Sequence, residues 1–184
     1  MTPIRPIRAT IAAVALALVA LPSLLGTPPA AAGDVPFCAG ADATIFGDGV
    51  NNVIIGTDGD DVIVGTALAE KIDGRGGNDR ICGRDGDDIL YGGDGHEFAL
   101  QGEGGNDLIR GETGNDRLNG GPGNDKLQGG DGKDRLGGDA GNDNLAGESQ
   151  DDRLDGGSER DVCDGGPHVK GDTATRCEAT TNVP

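Results

Sequence analysis

From Ile54 onward one aliphatic residue falls at almost every ninth position: Ile54, Ile63, Ile72, Ile81 and Leu90, then, after a spacing of ten, Leu100, Ile109, Leu118, Leu127, Leu136, Leu145 and Leu154. Each sits in a three-residue run such as Ile89-Leu90-Tyr91, and the six residues between runs are rich in Gly, Asn and Asp. The pattern predicts six turn-forming residues followed by a short strand of alternating exposure, repeated along the chain. A strand of three residues cannot bury itself alone. Stacked rows solve this by joining their eighth-place residues into one aliphatic ladder inside a solenoid.

Aligned on that ladder, thirteen rows cover residues 47–164. Five follow one another without a break over residues 102–146: GEGGNDLIR, GETGNDRLN, GGPGNDKLQ, GGDGKDRLG and GDAGNDNLA, or G-x-x-G-[NK]-D-x-[IL]-x. The row starting at Gly92, GGDGHEFALQ, has ten residues, and counting back from Gly102 puts its surplus residue around His96 to Phe98. Residues 43–46 are expected to add a strand to a cap, residues 165–178 read as a degenerate row, and residues 179–184 are expected to fray.

Composition changes the picture in one respect. With 36 Gly, one Tyr, three Phe and no Trp, the chain would read as disordered if it lacked a period. The strict repeat outranks that reading. The formal net charge of −17 argues against nucleic acid and anionic membrane surfaces, because phosphate binding needs Lys and Arg. So many carboxylates in a small body repel one another unless cations sit among them.

Arg5 and Arg8 precede an apolar run over residues 11–21, Pro22 interrupts it, and small residues end at Ala32. This is the pattern of a secretory signal peptide, over residues 1–32, and the run is too short for a membrane span. The mature chain would then consist of an N-terminal cap over residues 33–46, the repeats over 47–164, and a C-terminal cap and tail over 165–184. Export favours disulfides for the four cysteines. Three connectivities are possible; Cys38 with Cys82 and Cys163 with Cys177 is the preferred one, because each pair would staple one end of the repeat. No C-x-x-C spacing supports zinc, and His96 and His168 read as surface turn residues.

The repeated turn carries the candidate chemistry. Glycines at the first and fourth places suit backbone angles a Cβ would forbid and leave carbonyls exposed, and the sixth-place Asp closes the turn. A hard divalent cation takes six to eight carboxylate and carbonyl oxygens at roughly 2.3–2.6 Å; calcium accepts adaptable geometry where magnesium keeps its waters.

These rows resemble the RTX, or hemolysin-type, calcium-binding repeat over about residues 47–164. The resemblance implies an all-β fold, a right-handed parallel β-roll (β-solenoid) with small N- and C-terminal caps, in which two nonapeptides make one turn and calcium lies between row n and row n+2. Carried over place by place, it implies metal-site glycines at Gly56, Gly59, Gly74, Gly77, Gly83, Gly86, Gly102, Gly105, Gly111, Gly114, Gly120, Gly123, Gly129, Gly132, Gly138 and Gly141. The carboxylates are Asp61, Asp79, Asp88, Asp107, Asp116, Asp125, Asp134, Asp143, Asp152 and Asp161. Five pairs keep both the fourth-place Gly and the sixth-place Asp: Asp61 with Asp79, Asp88 with Asp107, Asp107 with Asp125, Asp116 with Asp134, and Asp125 with Asp143. About five well-formed calcium sites are therefore expected. Val50 and Asn52, Leu68 and Glu70, Glu97, Gln150 and Glu159 depart from the pattern and lower the expectation in their rows.

The function this supports is a secreted, extracellular calcium-binding protein, structural or interaction-mediating, that folds on binding the ion; a protein or polysaccharide partner is not named by any motif. The alternatives are an extracellular adhesion module or a remnant of a larger RTX exoprotein. Catalysis is not expected: the carboxylates form a lattice of equivalent groups, and no G-x-S-x-G or H-E-x-x-H motif occurs.

Overall fold

The computed structural model describes residues 37–167 and 171–183; residues 1–36, with the expected leader over 1–32, and His168 lie outside them. Among the described residues every regular element is a strand. Odd and even rows separate into two eight-stranded sheets. The first holds Ile45–Phe46, Val62–Val64, Arg80–Asp85, Ala99–Gly104, Arg117–Pro122, Arg135–Ala140, Arg153–Ser158 and Thr173–Thr175. The second holds Val53–Ile55, Lys71–Asp73, Ile89–Asp94, Leu108–Thr113, Lys126–Asp131, Asn144–Ser149, Val162–Asp164 and Ala179–Thr181. All pairings within the two sheets are parallel, each row with the row two further on, as in Leu118 opposite Leu136 and Leu127 opposite Leu145. The chain thus alternates between sheets and forms a β-solenoid of about seven turns: the solenoid follows from the nine-residue period, and the β-roll is the form the family resemblance implies.

The aliphatic ladder is the core. Ile63, Ile72, Ile81, Leu90, Leu100, Ile109, Leu127, Leu145 and Leu154 are fully buried, and the cluster runs unbroken from Ile54 to Cys163. Burying a Leu or Ile contributes about 1.5–3 kcal/mol, but each nine-residue row supplies only one such residue. A second, smaller cluster of Cys38, Val64 and Cys82 closes the N-terminal end. Disulfides join Cys38 to Cys82 and Cys163 to Cys177.

Three features differ from the sequence reading. In the central rows the strands span six residues, because the first three places of the next row continue the ladder of backbone hydrogen bonds. The strand Ile45–Phe46 belongs to the first sheet, where Ile45 pairs with Ile63; the antiparallel pair Phe37–Cys38 with Ala41–Asp42 precedes it. Ala179–Thr181, expected to fray, instead pairs with Val162–Asp164 and ends the second sheet. The ten-residue row resolves as a bulge. Ala99 takes the register position opposite Arg80, while the Phe98 N–H donates to the Asp79 carbonyl at 3.0 Å, so two residues face one.

Candidate metal centre

The glycines of the repeat divide their work differently from the expectation. The first-place glycines have ordinary φ; what they provide is close approach. A Cβ on Gly111 would stand 2.4 Å from Asp116 Oδ2 and 2.5 Å from the Gly129 carbonyl oxygen. From Gly77 to Gly141 the fourth-place glycines need both freedoms, whereas Gly59 has ordinary φ and open space for a Cβ. Gly123 has φ 152°, and a Cβ there would lie 1.5 Å from the Gly105 carbonyl oxygen. A left-handed residue that the repeat pattern did not reveal sits at the second place, filled by Arg84, Glu103, Gly121, Gly130, Asp139 or Glu148 according to the row. Gln150 and Glu159, in the fourth place, keep a left-handed backbone at φ 76° and 72°. The turn survives in those rows because an L-residue reaches that region at moderate cost, whereas φ near 150° is glycine territory.

These turns stack the sixth-place carboxylates in two columns, one along each edge of the roll. In all five expected pairs the backbone N–H of one Asp donates to Oδ1 of the next: Asp61 to Asp79, Asp88 to Asp107, Asp107 to Asp125 and Asp125 to Asp143 at 2.8 Å, and Asp116 to Asp134 at 2.9 Å. The same bond continues from Asp134 to Asp152, from Asp143 to Asp161 and from Asp152 to Asp172. Glu70 enters its column by donating to Asp88, and the Asp161 N–H donates to Glu178. Sequence reasoning missed Asp172 because the degenerate row sets it twenty residues beyond Asp152. Glu97 donates to Asp116 in the same way, yet its longer side chain accepts no bond from Asp79.

A third set of contacts lies outside the carboxylate columns. Fifth-place side chains accept the N–H of the fifth-place residue two rows on: Asp87 from Asn106, Asn106 from Asn124, and Asn124 from Asn142, at 2.7 to 3.0 Å. The recurring Asn at this place was visible in the sequence; that it tapes one turn to the next was not.

The second carboxylate oxygen of each stacked Asp is the anomaly. Oδ2 of Asp79, Asp88, Asp107, Asp116, Asp125, Asp134, Asp143, Asp152, Asp161 and Asp172 is buried without a hydrogen-bond donor. Buried acceptors without partners are costly, and charged ones more so. Burial, opposed in part by the N–H bond each group accepts, raises the pKa of Asp79, Asp107 and Asp152 to about 6 and of Asp88, Asp125 and Asp134 to about 7. Burial and then the neighbouring Asp116 push Glu97 up to about 10.

The family model of the RTX calcium-binding nonapeptide repeat (4 copies) matches residues 46–67, 64–96, 101–136, 111–145 and 137–167. The chain belongs to this family. No curated protein matches it.

RTX nonapeptide repeats bind calcium, and the donors in this roll suit that ion. Among the described residues no three acidic, His or Cys side chains converge on one point, as a zinc-type site would require. The unpartnered oxygens instead pair one carboxylate with nearby backbone carbonyls, as Asp116 Oδ2 and the Gly129 carbonyl do around Gly111. A hard, oxygen-seeking cation of flexible coordination answers such a set. Disulfides and RTX repeats are both typical of extracellular proteins. No helix among the described residues is long and apolar enough to cross a membrane.

Proposed function

We propose that this RTX chain is exported by the leader over residues 1–32 and that its repeat region, residues 47–164, orders when calcium enters between stacked Gly/Asp turns. The observation that carries this is the row of buried, donorless Oδ2 atoms along both edges. Calcium supplies the positive charge that lets stacked carboxylates stay ionised, and it joins adjacent turns.

The residues do the rest. The sixth-place aspartates from Asp79 to Asp161 offer Oδ2 while Oδ1 holds the N–H two rows before; Asp61, at the start of its column, has its Oδ2 bonded by the Thr57 N–H and hydroxyl. The first- and fourth-place glycines between Gly56 and Gly141 let carbonyls approach. About five sites are expected to be well formed, at the pairs that keep both groups. With one ladder residue per row, apolar burial offsets too little chain entropy for the ion-free roll to be stable, so ion binding becomes folding free energy. No carboxylate is set apart from the others by a unique neighbour, so the lattice is assigned a structural or interaction-mediating role and no catalysis.

A calcium titration followed by far-UV circular dichroism tests this. Strand signal should rise from a disordered baseline with a midpoint of about 10⁻⁴–10⁻³ M, the range of extracellular modules. Equal strand content in calcium and in chelator would sink the reading.

An adhesive role is the second reading. It is favoured by the outer face of the second sheet, where Ile89 and Tyr91 share a strand, exposed Val53 and Ile55 lie two strands away across Lys71 and Asp73, and Tyr91 is stacked with Lys71 at 5.1 Å and Arg110 at 5.7 Å. Capture of a culture-medium component in calcium, lost in chelator and in Tyr91→Ala, would distinguish it from a purely structural role.

A further inference from the structure

The outer face of the first sheet carries a column of positive charge in a chain with 32 acidic and 15 basic residues. Arg117 pairs in register with Arg135, and Arg135 with Arg153, so three exposed guanidinium groups stand on adjacent strands at the ~4.8 Å spacing of a sheet. Like charges placed directly opposite destabilise a sheet unless something answers them. Among the described residues ion pairs form at Lys133–Asp151 and Arg176–Asp155, and none involves these three arginines. Asp155 lies close enough to Arg153 to feel its charge. Arg117 and Arg135 enter no ion pair: along the strand Asn119 and Gly137 share their face, Asn119 is bonded to Asp139 at 2.8 Å, and Asp155, opposite Gly137, is held by Arg176. The repeat does not demand arginine here, since the seventh place of the second sheet holds Val53, Lys71, Ile89, Leu108, Lys126, Asn144 and Val162.

Beside this pair the bulge of the ten-residue row opens a notch lined by His96, Phe98, Asn115, Arg117, Lys133 and Arg135. Its polar rim consists of donors. His96 Nδ1 accepts the Asn115 N–H at 2.7 Å, so the neutral ring carries its proton on Nε2. Asn115 Oδ1 accepts the Lys133 N–H at 2.8 Å, which leaves the Asn115 amide NH₂ as a donor. Phe98, with Arg80 stacked 4.7 Å from its ring, forms the apolar wall. Glu97 and Asp116, both buried, also line the notch, and their charge opposes an anion unless a proton or a cation neutralises it.

We propose that this notch binds a multiply charged oxyanion, a sulfate or phosphate group, held by the Arg117 and Arg135 guanidinium forks and assisted by His96 and Asn115. Two guanidinium groups engaged in no ion pair match such an anion in both charge and fork geometry. The group is either a free ion or one carried on a polymer, in which case Arg153 extends the contact. The proposal rests on the calcium-ordered roll, because the rows must be stacked and their carboxylates neutralised.

The test uses the full mature chain in calcium chloride at low ionic strength, with circular dichroism establishing first that the roll is ordered. Absence of ordering there counts against the calcium reading; the anion result is read only from ordered protein. Calorimetry with sodium sulfate should then show saturable binding that Arg117→Ala/Arg135→Ala weakens at least roughly tenfold, while Lys126→Ala on the opposite sheet leaves it unchanged. A sulfated tetrasaccharide distinguishes the sources. If the group is polymer-borne, the tetrasaccharide binds at least roughly tenfold more tightly than sulfate and Arg153→Ala weakens only the tetrasaccharide; equal affinities assign a free ion. Ordered protein that binds neither probe, or binding that persists in the ordered double variant, overturns the proposal.

Discussion

Asp125 shows how much one residue carries in this architecture. Its N–H donates to Asp143, its Oδ1 accepts the Asp107 N–H, and its Oδ2 is buried without a donor. Asp125→Asn keeps the shape and removes the charge. It should lower the number of ions bound in calorimetry and weaken the local site about tenfold, since hydrogen-bonded charges contribute about 1.5–3 kcal/mol. Asp131→Asn, at an exposed third place, should change neither. Gly123 is the backbone counterpart. Gly123→Ala meets the Gly105 carbonyl and a φ of 152°, so it should destabilise the calcium-loaded roll by about 1–3 kcal/mol or more in denaturant titration. Gly104→Ala, with ordinary φ and a nearest Cβ contact of 3.2 Å to Asp85, should be mild. The importance of Gly123 and Asp125 was legible from spacing alone. The reason for the first-place glycine was not, because the need for close approach between rows exists only once the rows are stacked.

At the scale of the element, the unit of stability is the rung between row n and row n+2, and the lengthened row is where the rungs are interrupted. Glu97 reaches the sixth place and donates to Asp116, but both its carboxylate oxygens are donorless and Phe98 is extruded to half exposure. Deleting Phe98 together with Glu97→Asp should restore a nine-residue row and a continuous column from Asp61 to Asp172. We expect at least one more bound calcium in calorimetry and a lower calcium midpoint for folding; an unchanged stoichiometry would show that the bulge does not limit the column. The fifth-place tape is a separate support. Asn124→Ala removes the acceptor for the Asn142 N–H and should cost about 1 kcal/mol, with little change in ion number. The nine-residue period located these rungs correctly, and the position of the surplus residue followed from counting. Strand length did not follow, since the Gly-rich first three places look like turn and become strand only because a neighbouring row lies alongside.

For the whole molecule, the carboxylate columns couple folding to protons as well as to calcium. The folded-state pKa values of Asp79, Asp107 and Asp152 rise to about 6 and those of Asp88, Asp125 and Asp134 to about 7, above the usual 3.8. The folded chain therefore holds more protons than the unfolded one between about pH 4 and 7. The stabilisation from these protons is fully present below the unfolded value and is lost as pH rises through 6 to 7. Calcium-stripped protein should accordingly show more strand signal near pH 4 than at pH 8, and calcium should remove most of that difference. Identical ion-free spectra at both pH values would contradict the desolvation of these groups. By itself the sequence determined the repeat, the ladder and the ion class, because each of these follows from a local pattern copied row after row, while the alternation of two sheets came from the family resemblance that the pattern carries. Tertiary structure alone decided what depends on contacts eighteen or more residues apart. Stacking leaves one oxygen of each column Asp from Asp79 to Asp172 without a donor, puts Asp172 at the end of a column, turns the fifth-place Asn into a tape, and aligns Arg117 with Arg135 where neither enters an ion pair.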